Sequence, residues 1–245
     1  MKNTHISHRR LALKALAMTT ALLSPTVWSS APAGTLRVPT SMRLKYQVAT
    51  NKLPFKASAE LVWQQDGTRY DARLTLSLFG QTRVQNSQGQ ISAEGLVPLR
   101  FADKFREEVV ADFKRDQGKV VFSAGTPDVA ILAGAQDRLS VLVQLASLIA
   151  GDPARYPKAT QLAFQTIGPR DADNWLFAVG ETQTQQLPGG ELRTLKLVRQ
   201  PRQAVDQKVE LWLAPTLGYL PARIKITEPN GDLVDQQWTA TEAPA

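Results

Sequence analysis

The chain has 245 residues, a net charge of +7 and no cysteine. The lack of cysteine excludes a disulfide framework, thiol catalysis and anchoring through a lipidated cysteine. Only two histidines are present, His5 and His8, and both lie near the N-terminus. The rest of the chain therefore lacks the commonest general base and the commonest metal ligand, which argues against most enzyme classes.

Residues 1–33 are typical of a cleavable export signal. Basic residues, including Arg9 and Arg10, precede an apolar run over residues 11–23, and small residues follow up to Ala33. The Arg9-Arg10 pair ahead of the apolar run also resembles a twin-arginine signal, so both export routes stay open. We predict cleavage near Ala33, a periplasmic location and a single β-rich domain over residues 34–245.

The positive charge of the chain is concentrated in that signal. Four basic residues and no acidic residue lie in residues 1–33, so the net charge of residues 34–245 is only +3. We therefore predict no nucleic-acid partner. No apolar stretch after the signal reaches the roughly 18 residues of a membrane span, so we also predict no transmembrane segment.

Alternating apolar and polar residues dominate the chain after residue 40. The pattern is clearest in Phe55–Gln64 and Thr68–Leu78, which are separated by a short link containing Asp66-Gly67. This period is that of half-buried antiparallel strands, and the Asp-Gly link predicts a hairpin. The pattern continues more weakly to Trp238, with Ser87-Gln88-Gly89 interpreted as a break between two short strands. It predicts about a dozen strands, connected mostly in sequence order.

One segment, Asp137–Ala150, has the period of a helix instead. Its apolar residues recur every three or four positions, Asp137 is a suitable N-cap and Gly151 a suitable stop. A single amphipathic helix inside an antiparallel meander must bury its apolar face, and the concave side of a curved sheet can receive it. The predicted fold is therefore mainly β: a strongly curved antiparallel sheet, an open or half barrel, wrapped on one central helix.

Two short motifs resemble a known family. Gln136-Asp137-Arg138-Leu139-Ser140 is similar to the opening of the central helix in an exported bacterial family, "domain of unknown function 3108". Residues 212–224, in which a strand ends in Trp, a turn carries Gly-Tyr and Pro-x-Arg begins the next strand, are similar to its C-terminal pattern. The resemblance spans about Leu44 to Trp238. It implies a mostly β exported protein with no assigned activity, and a layout similar to the LolA and LolB lipoprotein carriers, in which a helical lid covers an apolar cavity.

Acidic residues offer no convincing catalytic or metal site. Asp171-Ala172-Asp173-Asn174 has the Asp-x-Asp spacing of some calcium loops, but a polar turn before a strand accounts for it. Glu107, Glu108 and Asp112 are close in sequence, yet consecutive strand residues point to opposite faces, so Glu107 and Glu108 cannot share a substrate. We predict no catalytic residue, no metal, no cofactor and no enzymatic activity.

The leading hypothesis for function is a non-catalytic binding or carrier module for an apolar or amphiphilic envelope ligand such as a lipid, acting as a monomer. The apolar residues of the interior either fill a core or line a cavity for that ligand. The predicted cavity-lining residues are Trp63, Tyr70, Leu74, Leu142, Leu145, Trp212 and Tyr219. The alternative is a structural protein that docks on an envelope protein through a sheet edge or an exposed face. A third hypothesis is a hydrolase that uses only Asp and Glu.

Overall fold

The computed structural model describes residues 35–52, 57–78, 80–201 and 203–244, so the predicted export signal lies outside the described residues. The described part forms one curved sheet of fifteen strands around one helix. The strands are β1 Met42–Thr50, β2 Ala57–Gln65, β3 Arg69–Leu78, β4 Gln81–Ser92, β5 Gly95–Lys104, β6 Glu108–Lys114, β7 Lys119–Phe122, β8 Val129–Ala130, β9 Gln136–Asp137, β10 Gln161–Ile167, β11 Ala172–Leu187, β12 Gly190–Arg199, β13 Lys208–Leu213, β14 Pro221–Thr227 and β15 Leu233–Glu242. The helix α1 spans Ser140–Gly151.

The strands are connected almost entirely in sequence order. From one edge the order runs from β8 back to β1 and then from β15 back to β9, so β1 and β15 pair in the middle of the sheet. All neighbours are antiparallel except β9 and β10. The predicted fold class is confirmed: the sheet curves into a half barrel that does not close.

The predicted hairpin is present as β2 and β3. Its turn is held by the Asp66 carboxylate, which accepts hydrogen bonds from the backbone N–H groups of Thr68 and Arg69 at 2.8 and 2.7 Å. Such local bonds are the reason why Asp favours tight turns. They also lower the pKa of Asp66 to about 2, with the bond from Arg69 as the largest cause.

The break predicted at Ser87-Gln88-Gly89 is wrong, because β4 runs through it. The pairing with β5 shifts register between Gln88 and Gly89, so the glycine marks a bulge and not a turn. A Cβ at Gly89 would lie 2.3 Å from the carbonyl oxygen of Val97 and 2.7 Å from the Tyr70 ring. Glycine is needed here for close approach of neighbouring chains, a role that its sequence context does not distinguish from turn formation.

Helix α1 lies against the concave face and is buried on nearly all sides. Residues 140–147 and Ile149 are buried. The helix begins three residues after the predicted N-cap, because Asp137 belongs to β9 and pairs with Ile167 of β10. Its carboxylate still accepts hydrogen bonds from the N–H groups of Leu139 and Ser140, both at 2.8 Å. Asp137 therefore satisfies the start of the helix from inside the sheet.

The helix fills only one end of the half barrel, which we call the closed end. Gln144 accepts a hydrogen bond from the backbone N–H of Leu96, at the start of β5, at 2.7 Å. The carbonyl of Ser147 accepts one from the N–H of Arg37 at 3.1 Å. Gly151 packs so tightly there that a Cβ would lie 1.4 Å from the Thr35 carbonyl oxygen. The segment before β1 and the β4–β5 turn thus seal this end.

A single hydrophobic core joins the helix to the sheet. Its largest fully buried side chains include Trp63, Tyr46, Phe101, Phe177 and Leu145. Two polar groups of this core have partners in the backbone: the Trp63 indole N–H donates to the Pro39 carbonyl at 2.9 Å, and the Tyr46 hydroxyl donates to the Pro221 carbonyl at 2.8 Å. No helix among the described residues is long and apolar enough to cross a membrane.

Candidate functional site

A groove of about 680 Å³ lies at the other end of the half barrel, which we call the open end. Turns 105–107 (β5–β6) and 168–171 (β10–β11) meet there, and both contribute lining residues, as do β3, β4 and β6. The helix does not reach this end because its first turn lies beside Ser87, in the middle of β4. The groove is the part of the concave side that α1 leaves uncovered.

Burial along β3 shows where the core ends and the groove begins. The inward-facing residues Tyr70 and Ala72 are 4 % and 0 % exposed, whereas the next two inward residues, Leu74 and Leu76, are only partly buried. Leu76 then lines the groove. The same alternation that builds the core therefore continues into a surface that nothing in the described structure covers.

The apolar part of the groove comes from Leu76, Val109, Pro169 and Phe105. Phe105 is 51 % exposed. Among the described residues it is the one aromatic side chain in the set of exposed large hydrophobic residues. Leaving a phenylalanine half in water forgoes much of the ~1.5–3 kcal/mol gained by burying it. An exposed aromatic ring beside three further apolar side chains is typical of a surface that contacts an apolar partner.

One wall of the groove is a tightly bonded ion pair. Asp103 accepts hydrogen bonds from Arg83 Nε at 2.8 Å and Nη2 at 2.6 Å, and a third from Gln85 Nε2 at 2.8 Å. Burial raises the pKa of Asp103, but the bonds from Arg83 and Gln85 outweigh it, so the pKa of Asp103 is lowered overall. Asp103 is thus a fixed carboxylate whose charge Arg83 already neutralises.

The rim of the groove carries charges of a different kind. Arg106 and Arg170 line it from two separate turns, together with Glu107. Among the residues that the structure describes, no ion pair or side-chain hydrogen bond holds either arginine, and the Arg106 guanidinium lies 6.0 Å from the centre of the Phe105 ring. These two cations can therefore reach a ligand without first breaking an internal pair.

A buried polar network joins the helix start to β3 and β4, but it is closed to solvent. Ser87 Oγ donates to Asp137 Oδ2 at 2.5 Å and lies 3.1 Å from the Tyr70 hydroxyl. Asp137 and Ser87 are both 0 % exposed. Burial raises the pKa of Asp137 to about 6, although the hydrogen bonds from Ser87, Ser140 and Leu139 act in the opposite direction. This network positions α1 and does not contact the groove.

The seven predicted cavity-lining residues fall into different environments, and none lines this groove. Trp63, Tyr70, Leu142 and Leu145 are between 0 % and 6 % exposed and belong to the core. Leu74 lies on β3 between the core and the groove. Tyr219 is half-buried in the β13–β14 turn with a φ of 63°.

Trp212 faces away from the concave side. Its neighbours Leu211 and Leu213 are 0 % exposed in the core, so Trp212 points to the convex face. There its ring lies between the Lys196 ammonium at 4.8 Å and the Arg223 guanidinium at 4.7 Å from the ring centre. Arg223 also forms a bidentate pair with Asp235, so this cluster covers the tryptophan with bonded charges.

The acidic residues considered for catalysis do not converge. Glu107 lines the groove, whereas Glu108 pairs with Arg100 and Asp112 with Lys114. Asp171 pairs with Arg138 at 2.7 Å and Asp173 with Arg199 at 3.0 Å. Within the described residues no group of acidic side chains is arranged to hold a metal ion.

Sequence reasoning missed the groove residues Leu76, Phe105 and Val109. A usable signal existed for two of them, because Leu76 and Val109 continue the inward alternation of their strands beyond the length that one helix can cover. The position of Phe105 in a turn with Arg106 and Glu107 was a second signal, since binding residues occur disproportionately in loops.

Together these features of the described residues define a class of protein: a half barrel of one almost entirely antiparallel sheet that encloses a single helix and leaves a groove at its open end. Within that class the chain belongs to the family "Protein of unknown function (DUF3108)", whose model matches residues 45–236. This confirms the resemblance carried by the helix-start and C-terminal motifs. A search of curated proteins found no match.

Solved structures support the fold assignment. The chain is similar to a β-barrel-like protein of the DUF1849 family from Brucella abortus, with 11 % identity, a TM-score of 0.56 and coverage of 85 % of this chain and 99 % of that one. The Pseudomonas aeruginosa MucA/MucB complex matches at 15 % identity and a TM-score of 0.31, over 84 % of this chain and 53 % of that one. A putative lipoprotein from Parabacteroides distasonis matches at 7 % identity and 0.32, over 86 % and 99 %. Only the first is similar enough to support the fold, and it says nothing about function.

Proposed function

We propose that this protein is a non-catalytic binding module of the cell envelope that holds the apolar part of an amphiphile in the open-end groove. The observation that carries the proposal is the groove itself, about 680 Å³ with an exposed Phe105 beside Leu76 and Val109. This volume falls within the ~300–1,000 Å³ range of small-molecule sites, which are mainly apolar with a few polar groups.

The envelope location in this proposal rests on residues 1–33, whose basic start and apolar run are typical of an export signal. A ligand with an acyl or similar chain suits that location, because membranes there supply such molecules. The proposal concerns the open end because α1 is buried in the core at the closed end.

Binding is favoured over hydrolysis by the state of the two groove carboxylates. Asp103 is held by three hydrogen bonds from Arg83 and Gln85, and its pKa is lowered, which is the reverse of what a general acid requires. Among the described lining residues, Glu107 is then the one carboxylate without an ion pair, whereas the usual glycosidase mechanism needs two.

The test is a titration of the mature protein with the neutral apolar fluorophore N-phenyl-1-naphthylamine, whose emission rises in an apolar site. We expect Phe105→Glu to weaken its binding by at least about tenfold, because one buried Phe contributes ~1.5–3 kcal/mol and 1.4 kcal/mol corresponds to tenfold. The substitution is at an exposed position, so the fold should be retained.

Leu99→Glu is the matched control. Leu99 is a large exposed residue of β5, 37 % exposed, that does not line the groove. The Leu99→Glu substitution introduces the same charge on a neighbouring part of the surface and should leave the titration unchanged. Equal losses in both variants, or saturable binding that Phe105→Glu does not affect, would exclude the groove as the site.

A further inference from the structure

We infer that the groove selects an amphiphile with an anionic head group, a carboxylate or phosphate, that Arg106 and Arg170 bind at the rim. This inference rests on the proposed function and adds the chemistry of the ligand's polar end. It is carried by the placement of two guanidinium groups, neither of which forms an ion pair with a described residue, beside an apolar surface that a hydrocarbon chain can cover.

Apolar and charged side chains line different parts of the groove. Leu76, Phe105, Val109 and Pro169 supply the apolar surface, and the charged side chains come from the turns at its rim and from one wall. A ligand that covers such a surface needs an apolar body and a polar end. A purely apolar ligand would leave the rim charges without partners, and a small ion would leave Phe105 in water.

The charge that remains available to a ligand at the rim is positive. The groove has three arginines and two carboxylates. Asp103 and Arg83 form a bidentate pair, so neither adds a free charge. What remains is Arg106 and Arg170 against Glu107, an excess of one positive charge at the rim. Charge complementarity therefore favours an anionic head over a neutral or cationic one.

The N–H donors of Arg106 and Arg170 have a geometry that suits an anionic head group. A guanidinium offers a planar set of N–H donors that matches a carboxylate or phosphate. Arg170 lies in a turn whose position is fixed, because its carbonyl accepts a hydrogen bond from Thr126 Oγ1 at 3.0 Å. Arg106 is the neighbour of Phe105, so a chain lying on that ring brings its head group to Arg106.

The test compares two ligands with the same dodecanoyl group, laurate and the neutral monolaurin, as competitors of N-phenyl-1-naphthylamine near neutral pH and at low salt. We expect laurate to bind at least about fivefold more tightly than monolaurin. The preference should disappear in the double variant Arg106→Gln/Arg170→Gln and shrink when salt is raised, since exposed charge pairs are weak and screened. Glu107→Gln should increase it about twofold, because it removes the competing rim carboxylate.

Arg73→Gln/Arg193→Gln is the control for net charge. Both arginines are exposed and neither lines the groove, so this variant should keep the laurate preference. Equal affinity for laurate and monolaurin in the native protein would overturn the head-group inference while leaving the proposed function intact. Binding of neither ligand would instead reject the proposed function. Competition by acetate as effective as that by laurate would show a small-anion site and would also overturn the inference.

Discussion

Truncating Leu145 to alanine is expected to lower the free energy of unfolding by about 2–5 kcal/mol without changing the affinity of the groove for N-phenyl-1-naphthylamine. Leu145 is 0 % exposed in the middle of α1 and packs in the core that fills the closed end. Removing its side chain leaves a cavity that the surrounding sheet can only partly close. The groove lies at the other end, so its lining should be unaffected. Urea unfolding and the fluorophore titration, made on the same samples, measure both quantities.

Leu148→Ala is the matched control for this variant. Leu148 belongs to the same helix but is only partly buried, so its truncation removes the same atoms and should cost less stability. Comparison of Leu145→Ala with Leu148→Ala distinguishes a packed interior from a ligand cavity beneath the helix. If Leu145 lined a ligand cavity beneath the helix, as the sequence predicts, Leu145→Ala would change probe binding at least as strongly as Phe105→Glu does. That result would contradict the division into a filled end and an open end.

The second large effect that we expect is a change of protein stability with pH that is caused by Asp137. Burial raises the pKa of its carboxyl in the folded protein from the ordinary 3.8 to about 6. The folded state therefore holds a proton that the unfolded state has released between these two values, and this contribution is fully present below pH 4 and lost as the pH rises through about 6. The stability of the native protein relative to Asp137→Asn should fall by about 2–3 kcal/mol from pH 4 to pH 7.

Asp103→Asn is a control variant, because the contribution of Asp103 to stability should change with pH in the opposite direction. The pKa of Asp103 is lowered, so its contribution to stability is present above the ordinary pKa and is lost as the pH falls. Denaturant unfolding of the three proteins at several pH values should give differences that slope in opposite directions. A difference between native protein and Asp137→Asn that stays flat, or rises, from pH 4 to pH 7 would show that Asp137 ionises freely in the folded state.

The sheet was predictable because its pattern is repetitive. Period-two alternation in β2 and β3 extends over nearly every residue, and the Asp66-Gly67 link leaves little choice of connection. The helix was predictable for the same reason, as nothing else in residues 34–245 has its period. The start of α1 was three residues off because Asp137 both ends a strand and bonds the first helical N–H groups. Sequence alone does not separate these two roles.

The candidate site was not predictable in the same way. Choosing Trp63, Tyr70 and Leu145 relied on size and apolar character, which select the best-packed residues of a core as readily as the lining of a cavity. Trp212 was chosen by the same criterion, although it lies on the convex face, where Lys196 and Arg223 cover its ring. The groove depends on how far α1 extends along the half barrel, a tertiary relation fixed by contacts such as that of Gln144 with Leu96.

The position of the bound hydrocarbon chain distinguishes a groove at the open end from a cavity beneath helix α1. A laurate analogue with a diazirine at the end of its chain can be bound to the mature protein, irradiated and located by mass spectrometry of the digested product, with excess laurate as the competitor. We expect labels that laurate suppresses, on Leu76, Phe105, Val109 and their neighbours at the open end. Labels concentrated on helix α1 or around Trp212 on the convex face would contradict it.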